Sequence, residues 1–337
     1  MKLITNLLGA ALMAIASVNV QAQGYELRDD AKEFARDLEV RHRIPEAETL
    51  AILARASYDE RVIRYIRPPQ KSGVRSWQRY RSRFIEPIRI QAGIEFWEDN
   101  RETIRAAAER FAVDEAVIVG IIGVETIYGR YIGNFQLLDA LATLAFDYPP
   151  RADLFRRELE NLFLMAQEQG RAPDDYYGSF AGAIGLPQFL PSSIRNYAVD
   201  FDGDGRIDLE NSIPDAIGSV ANYLHVHGWR LGEPVAVPAV VLDDARVDEL
   251  IAAGIEPSLS RQQLVEAGVI PRVDDQTDQP ATLVDLVSPG SATEYWLGYR
   301  NFYVITRYNR SSFYAMSVFQ LAEAINRRMD AKIARRN

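Results

Sequence analysis

One carboxylate in this chain stands out because of the residues around it. Glu125 is the only charged residue between Glu115 and Arg130, in a run built mostly from Ile, Val and Gly. Ionising a carboxyl group among apolar side chains costs free energy, so we expect the pKa of Glu125 to be raised. A carboxylic acid still protonated near neutral pH can act as a general acid. The structural alternative is a solvated position, or an ion pair with Arg130.

The ends of the helix that carries Glu125 can be placed from residue types. Asp114 is suited to the N-cap position, and Gly129 is suited to the exit of a helix. Glu125 would then lie near the C-terminal end, where a side chain can face a cleft while its helix stays buried. Such a position suits a catalytic acid, and it equally suits a structural ion pair.

A glycine-rich segment at 178–193 (GSFAGAIGLPQFLPSS) carries two polar side chains, Ser179 and Gln188, among apolar neighbours. Glycine allows backbones to approach closely, and these two side chains offer hydrogen-bonding groups. The segment either lines a cleft for a polar ligand or forms a tightly packed turn between helices.

An acidic segment at 200–208 (DFDGDGRID) fits the first nine positions of a calcium-binding loop. Carboxylates this close together repel each other unless a cation lies among them. The pattern departs from the usual loop at position twelve, where Asn211 replaces a bidentate Glu, although Asp215 could close a longer loop. We predict a structural calcium site, with a bare acidic turn as the alternative. The predicted metal-site residues are Asp200, Asp202, Asp204, Arg206 and Asp215.

Tyrosines are frequent near the C-terminus. A tyrosine offers an apolar face on which a sugar ring can pack and a hydroxyl group for hydrogen bonding. The structural alternative for each is ordinary half-buried packing. The candidates for a sugar-binding cleft are Tyr80, Tyr223, Tyr303, Tyr308 and Tyr314.

Hydrophobic periodicity predicts a mainly helical α+β protein. Charge-rich helices are predicted over 24–110 and more apolar helices over 113–228. A mixed segment follows from 229 to 292. It has strand-like stretches at 234–242 and 282–287, and short helices at 246–254 and 261–268. Beyond it we predict strand or extended loop at 295–306 and a final amphipathic helix at 311–328.

The composition limits the class of protein. The chain has 337 residues, of which 47% are hydrophobic and 25% charged, as expected for a globular protein with one to three domains. Without any cysteine it can form neither disulfides nor thiolate metal sites, and it has no cysteine nucleophile or acylated N-terminal cysteine. A net charge of −9 argues against a nucleic-acid partner.

Residues 1–22 have the features of a signal peptide. Lys2 is the only charge, an apolar stretch follows, and small residues precede a cleavage position near Ala22. The apolar stretch is too short for a transmembrane segment. We therefore predict an exported, periplasmic protein.

Taken together, these segments resemble the lytic murein transglycosylase B family (glycoside hydrolase family 103). The resemblance extends in order from about Tyr80 to Ala315. The segments that carry it are 119–126 (VGIIGVET), 138–144 (LDALATL), 178–183 (GSFAGA), 188–193 (QFLPSS), 215–223 (DAIGSVANY) and 295–298 (YWLG).

The resemblance implies a lysozyme-like helical core at 81–230 plus 293–315, which includes a calcium loop at 200–215. It further implies an N-terminal helical domain at 23–80, completed by 316–337, and a small mixed α/β insert at 231–292. Peptidoglycan is the implied partner, and we expect a monomer.

The implied activity is cleavage of the β-1,4 bond between N-acetylmuramic acid and N-acetylglucosamine, with a 1,6-anhydro product. Glu125 corresponds to the family's catalytic acid/base. The positions corresponding to its substrate-binding residues are Tyr80, Arg151, Ser179, Gln188, Tyr223, Tyr308, Asn309 and Tyr314. Members of the family carry two adjacent arginines where this chain has Pro150 and Arg151.

Two other functions are compatible with the same residues. A hydrolytic muramidase would need a second carboxylate, for which Asp139 and Asp147 are candidates, although both positions favour an N-cap or surface role. A non-catalytic peptidoglycan-binding scaffold would keep the cleft without turnover.

Overall fold

The computed structural model describes residues 24–68, 73–272 and 277–334. The predicted signal peptide at 1–22 lies outside the described residues. The chain divides into two compact units, Met1–Tyr58 and Asp59–Asn337. The N-terminal domain predicted at 23–80 extends across the boundary between these units.

The first unit is a small helical element. Its described residues, 24–58, form a 3-10 helix, Tyr25–Leu27, and two α-helices, α1 (Asp29–His42) and α2 (Glu46–Leu53). Phe34 and Leu38 are buried on one side of α1, as expected for an amphipathic helix that covers a small core.

The second unit contains most of the helices. The first group, from 60 to 126, is α3 (Glu60–Ile66), α4 (Trp77–Arg81), α5 (Pro87–Asp99), α6 (Arg101–Phe111) and α7 (Glu115–Thr126). The second group, from 137 to 226, is α8 (Leu137–Asp147), α9 (Ala152–Gln169), α10 (Pro191–Tyr197) and α11 (Ile213–Val226). Short 3-10 helices occur at Pro149–Arg151 and Pro173–Asp175, and the two-residue strands β1 (Phe135–Gln136) and β2 (Tyr177–Gly178) pair antiparallel.

Helix α7 lies in the middle of the core. All of its residues from Val117 to Val124 are buried, because the helix is apolar on every side. It packs against α5, α6 and α11. Glu125 is therefore carried at the C-terminal end of a buried helix.

The predicted insert contains a sheet and two short helices. They are β3 (Ala236–Val241), α12 (Val247–Ala252), α13 (Arg261–Glu266), β4 (Val269–Pro271), β5 (Thr282–Leu286) and β6 (Glu294–Gly298). The strands form an antiparallel sheet in the order β4-β3-β6-β5. Both strand-like segments and both short helices predicted here are confirmed. The sheet also extends past the predicted boundary at 292, since β6 pairs with β3 and β5.

The prediction of strand or extended loop at 295–306 was wrong for its second half. Strand β6 ends at Gly298 and helix α14 (Arg300–Tyr308) follows. Phe302 and Ile305 are fully buried on one side of α14, a three-residue spacing that the many aromatic residues obscured. Asn301 stabilises the start of the helix, because its amide donates to the backbone carbonyls of Arg230 and Glu233.

The final helix, α15 (Ser312–Ala334), confirms the helix predicted at 311–328 and extends beyond it. It packs along α7 and α5 within the second unit. The mainly helical α+β class is confirmed. In the described part of the chain, no helix combines the length and apolar character needed to cross a membrane.

Candidate active site

Glu125 lies in the last turn of α7, where the helix ends abruptly. Asp114 occupies the N-cap position as predicted, but its carboxylate accepts a hydrogen bond from Trp229 Nε1 (2.8 Å) instead of capping the helix. At the other end, Ile127, Tyr128 and Gly129 all have positive φ, at 52°, 58° and 88°. Two non-glycine residues in this conformation are unfavourable, so tertiary contacts must hold this exit.

The carboxyl group of Glu125 is half-buried and has a short hydrogen bond from α15. Tyr314 Oη donates to Glu125 Oε1 at 2.5 Å. Burial raises the pKa of Glu125 from its ordinary value of 4.5 to about 7, while the hydrogen bond from Tyr314 opposes this rise. Glu125 is therefore a carboxylic acid that can hold or release a proton near neutral pH.

The two alternatives for Glu125 do not describe this structure. The side chain is not freely solvated, and Arg130 is exposed. Among the ion pairs of residues 24–68, 73–272 and 277–334, none joins Glu125 to Arg130.

Three tyrosines from three helices lie close enough to interact electrostatically with Glu125. They are Tyr80 of α4, Tyr308 of α14 and Tyr314 of α15. Burial raises the pKa of each, and the negative charge that Glu125 carries when ionised raises it further. All three hydroxyls are thus protonated donors at neutral pH.

Tyr223 of α11 extends this aromatic group. Its ring lies 4.8 Å from that of Tyr308, and the Tyr308 ring is stacked on Tyr314 at 6.3 Å with an interplanar angle of 17°. Tyr197 and His227 pack on Tyr223, at 4.9 and 4.1 Å between ring centroids. The result is a continuous aromatic wall that begins at Glu125.

The glycine-rich segment meets the end of α7 directly. Thr126 Oγ1 donates to the carbonyl of Leu186 at 3.0 Å, and Tyr308 Oη donates to the carbonyl of Pro187 at 2.5 Å. Gln188 has a positive φ of 52°, and its Nε2 donates to the carbonyls of Ile132 (3.1 Å) and Gly185 (2.9 Å). The segment is both a tight turn and a wall of the site.

Ser179, at the start of the same segment, closes a local turn. Its hydroxyl accepts a hydrogen bond from the amide of Ala183 (3.0 Å), and its own amide donates to the carbonyl of Ala183 (2.8 Å). The side chain is half-buried. Its hydroxyl hydrogen is a donor that this turn does not require.

Two predicted substrate residues lie on the surface. Arg151 is exposed at the end of the 3-10 helix Pro149–Arg151, with its guanidinium over the ring of Phe155 at 5.3 Å. Asn309 is exposed at the C-cap of α14, next to Tyr308. The structure brings Tyr80, Tyr308 and Tyr314 to Glu125, and Tyr223 joins them through Tyr308. Among the described residues, Arg151 and Asn309 have no such link to Glu125.

The rival carboxylates belong to α8. Asp139 is in the first turn of this helix and Asp147 is its last residue, and both are half-buried. Burial, rather than the charge of another carboxylate, raises the pKa of Glu125.

Three residues that contribute to the site were missed by sequence reasoning. Thr126 adjoins Glu125 and could have been noticed from that position alone. His227 and Tyr197 enter only by stacking on Tyr223, and nothing in the local sequence indicates this contact.

The acidic segment forms a compact loop. Oxygen atoms of Asp200, Asp202 and Asp204 lie within 4.8 Å of one another. Asp200 accepts hydrogen bonds from the amides of Gly203 (2.7 Å), Asp204 (3.1 Å) and Gly205 (2.8 Å). These three carboxylates are the donor set that a hard cation such as calcium prefers.

Asp215 lies beneath this loop and is only 1% exposed. Its carboxylate accepts hydrogen bonds from the amides of Phe201 (2.7 Å) and Asp208 (2.9 Å), on opposite sides of the acidic loop. Burial is the largest influence on the pKa of Asp215 and raises it, while the two amides oppose that effect. Asn211, at position twelve, donates to the carboxylate of Asp208 (3.1 Å).

Residues 26–323 match the family described as Transglycosylase SLT domain. The chain is 41% identical over 318 residues to the membrane-bound lytic murein transglycosylase B of Escherichia coli (strain K12), with 91% of this chain and 86% of that protein covered.

Solved structures are similar over nearly the same length. The catenated lytic transglycosylase SltB1 of Pseudomonas aeruginosa superposes with a TM-score of 0.84 at 42% identity, covering 90% of this chain and 99% of that one. The Escherichia coli lytic transglycosylase Slt35, in complex with calcium, has a TM-score of 0.78 at 40% identity, covering 89% and 93%.

Proposed function

Since this chain belongs to the transglycosylase SLT-domain family, we propose that it is a peptidoglycan lytic transglycosylase with Glu125 as its single acid/base. The bond cleaved is the β-1,4 linkage between N-acetylmuramic acid and N-acetylglucosamine. One observation carries this proposal: Glu125 is half-buried among tyrosines, with a pKa raised to about 7 and a 2.5 Å hydrogen bond from Tyr314.

The first step is proton donation. Protonated Glu125 gives its proton to the glycosidic oxygen, and the bond from that oxygen to C1 of the muramic acid breaks as positive charge develops on the sugar ring. The N-acetyl group of the substrate can assist at C1, which explains why one protein carboxylate is enough. Oε1 of Glu125 is engaged by Tyr314, so we assign the transferred proton to Oε2.

The second step returns the proton. Glu125, now a carboxylate, removes the proton of the C6 hydroxyl of the same muramic acid, and the C6 oxygen bonds to C1. The 1,6-anhydro ring closes, Glu125 is protonated again, and no water is consumed. The hydroxyl of Tyr314 stabilises the Glu125 carboxylate that forms between the two steps. Burial keeps the pKa of Glu125 high enough for this carboxylate to act as a base.

The aromatic wall is the proposed sugar-binding surface. Tyr80, Tyr223, Tyr308 and Tyr314 line the cleft proposed for a glycan strand, where the hydroxyls of Tyr308 and Tyr314 are engaged by Pro187 and Glu125. Ser179 and Gln188 offer hydrogen bonds from the glycine-rich segment. We assign Asn309 and Arg151 to the periphery of the cleft, with Arg151 in contact with the peptide stem.

The acidic loop is proposed to hold calcium. Asp200, Asp202 and Asp204 converge, and the backbone carbonyl of Arg206 follows at the position where such loops supply one. Asp215, beneath the loop, ties its two sides together. Bound calcium would offset the repulsion among the three carboxylates and rigidify the loop that precedes α11, which carries Tyr223.

The substrate also indicates where the protein acts. Peptidoglycan lies outside the inner membrane, and residues 1–22 have signal-peptide character. We therefore propose a periplasmic protein that acts as a monomer on the glycan strand.

Digestion of purified peptidoglycan, followed by mass analysis of the released muropeptides, tests the proposal. We expect products that carry a 1,6-anhydro end, each lighter by one water than a hydrolysis product. Products heavier by one water would identify a hydrolytic muramidase instead. If wild-type protein bound peptidoglycan without releasing products, it would be a scaffold.

A further inference from the structure

A buried guanidinium lies behind the catalytic carboxyl group and has no part in the chemistry described above. Arg89, on α5, is only 7% exposed, although arginine is rarely buried without partners. Its Nη1 donates to the carbonyl oxygens of Gly123 (2.5 Å) and Val124 (3.2 Å), and its Nη2 donates to the carbonyl of Arg83 (3.1 Å). One side chain thus joins α5 to the residues immediately before Glu125.

The end of α7 needs such a donor. The last carbonyls of a helix lack partners within it. The amide of Ile127 reaches the carbonyl of Gly123 at 3.3 Å, and from Ile127 onward the chain turns away with positive φ. The guanidinium therefore serves the carbonyl of Val124, which a continuing helix would pair with the amide of Tyr128. A cation at this end also complements the helix dipole.

Close packing holds the two helices in the required arrangement. The Tyr128 side chain fills the space beside Gly93 of α5 and Gly123 of α7, and a Cβ on either glycine would collide with it. Its ring packs on Phe96, with 5.1 Å between centroids. Tyr128 Oη is buried without a hydrogen-bond partner in the described part of the chain, so packing rather than a side-chain hydrogen bond holds the side chain of this left-handed residue.

We propose that Arg89 is a positioning residue, which holds the last carbonyls of α7 in place and thereby aims the carboxyl group of Glu125 at the substrate. This inference rests on the proposed role of Glu125. A residue that only stabilised the fold would affect melting temperature alone. A positioning residue also affects kcat, because a displacement of about 1 Å in a reacting group costs about 100-fold in rate.

The charge of Arg89 adds an effect on pH dependence. Removing this cation and uncovering two carbonyls both disfavour a nearby carboxylate. The groups that face Glu125 or Arg89 from the surrounding segments are Tyr80, Arg83, Glu86, Tyr128, Tyr308 and Tyr314. Replacing Arg89 by an uncharged residue also removes its ion pair with Glu86 (3.9 Å) and the positive charge beside the Tyr128 hydroxyl, and Arg89→Lys is the variant that keeps the charge.

The experiment compares Arg89→Gln, Arg89→Lys and Ile104→Val on a soluble peptidoglycan fragment, well below each melting temperature. Arg89→Gln should lower kcat by about 10–100-fold with KM within about twofold, and should move the alkaline limb of the rate profile to higher pH. Arg89→Lys keeps the charge, so it should recover part of kcat and keep the alkaline limb in place. Ile104, fully buried on α6, is the control for stability: its variant should melt earlier with unchanged kcat.

Two results would overturn the inference. One is wild-type kcat in Arg89→Gln, and the other is a loss that Ile104→Val reproduces at an equal drop in melting temperature. If Arg89→Gln does not fold, Arg89→Lys is used for the same comparison with Ile104→Val. We expect its kcat to be several-fold below that of the wild type, and a wild-type kcat would overturn the inference. Glu125→Gln is assayed in parallel. Activity in that variant would refute the proposed function. If Glu125→Gln is inactive but the Arg89 variants have the kcat of the wild type, only the role of Arg89 is refuted.

Discussion

The C-terminal end of α7 and the acidic loop each place functional carboxylates, but different contacts hold them in position. In the loop, Asp200 is held by amides at most five residues away. At the exit of α7, Glu125 is held by Tyr314, 189 residues away, and Thr126 is held by Leu186, 60 residues away. The loop is therefore a local structure, whereas the acid site exists only once distant helices have packed.

Two buried carboxylates, Glu125 and Asp215, show what this difference does chemically. Asp215 receives two backbone amides, which favour its ionised form. Burial raises the pKa of both carboxylates, but at Glu125 only one tyrosine hydroxyl opposes the rise, and the pKa of Glu125 reaches about 7. The first arrangement suits a structural anchor or metal ligand, and the second suits a group that exchanges a proton.

The largest expected effect is the loss of activity on replacing Glu125, the carboxylate at the end of α7. Glu125→Gln should lower the rate of muropeptide release by roughly 10²–10⁴-fold or more, because the proton donor is removed while the shape is kept. The rate is measured by chromatography of digested peptidoglycan. Glu109→Gln, an exposed change on α6, is the matched control and should leave the rate unchanged. A Glu125→Gln variant within tenfold of wild type would contradict the assignment.

A smaller effect is expected from the partner of Glu125. Tyr314→Phe removes the hydrogen bond that favours the carboxylate, so the pKa of Glu125 should rise above about 7. We expect kcat to fall about tenfold, since a less stabilised carboxylate is harder to form, and the alkaline limb to move to higher pH. The measurement is the pH dependence of kcat, with Tyr295→Phe in the insert as control. An unchanged limb would show that the bond does not tune Glu125.

The acidic loop should respond to calcium in stability rather than in chemistry. At a calcium concentration about 100 times Kd, binding stabilises the folded state by about 2.7 kcal/mol, so chelation should lower Tm by several degrees. Asp202→Asn should reduce this calcium-dependent shift, whereas Asp243→Asn, an exposed change in the insert, should keep it. Loss of activity without a change in Tm on chelation would oppose a structural role.

The smallest effect concerns the stability cost of the acid site. Between the ordinary pKa of 4.5 and the folded value of about 7, the folded state retains a proton that the unfolded state releases. Stability from this group is therefore present below pH 4.5 and is lost as pH rises to 7. Glu125→Gln lacks this loss and should be about 1–3 kcal/mol more stable than wild type at pH 8, with little difference at pH 4. Denaturant titrations at both pH values measure the free energies of unfolding of the two proteins. A difference that is the same at pH 4 and pH 8 would contradict this prediction.

Much of the fold could be predicted where the signal is local. The apolar run before Glu125 predicted a buried helix, and the strand-like segments at 234–242 and 282–287 became β3 and β5. The segment 295–306 could not be resolved in the same way, because its aromatic residues suit both strand and helix. Pairing of β6 with two other strands, and burial of Phe302 against the core, decided where one element ends and the next begins.

For the candidate site, residue types were predictable and partners were not. Glu125 and the tyrosines could be nominated from the sequence, but the hydrogen bond from Tyr314 could not. Arg89 gave no signal at all, since one arginine among 38 basic residues looks like any other until it is buried. The roles proposed for Ser179, Gln188, Arg151 and Asn309 remain predictions.

By itself, the sequence determined the isolated acid in its apolar helix and the spacing of the acidic loop. Both depend on neighbours within a few residues, and periodicity and spacing express such relations. Only the tertiary structure decided that Glu125 is poised to exchange a proton. Its pKa depends on how deeply α7 is buried and on a hydroxyl delivered by α15, and these quantities exist only when the helices have packed.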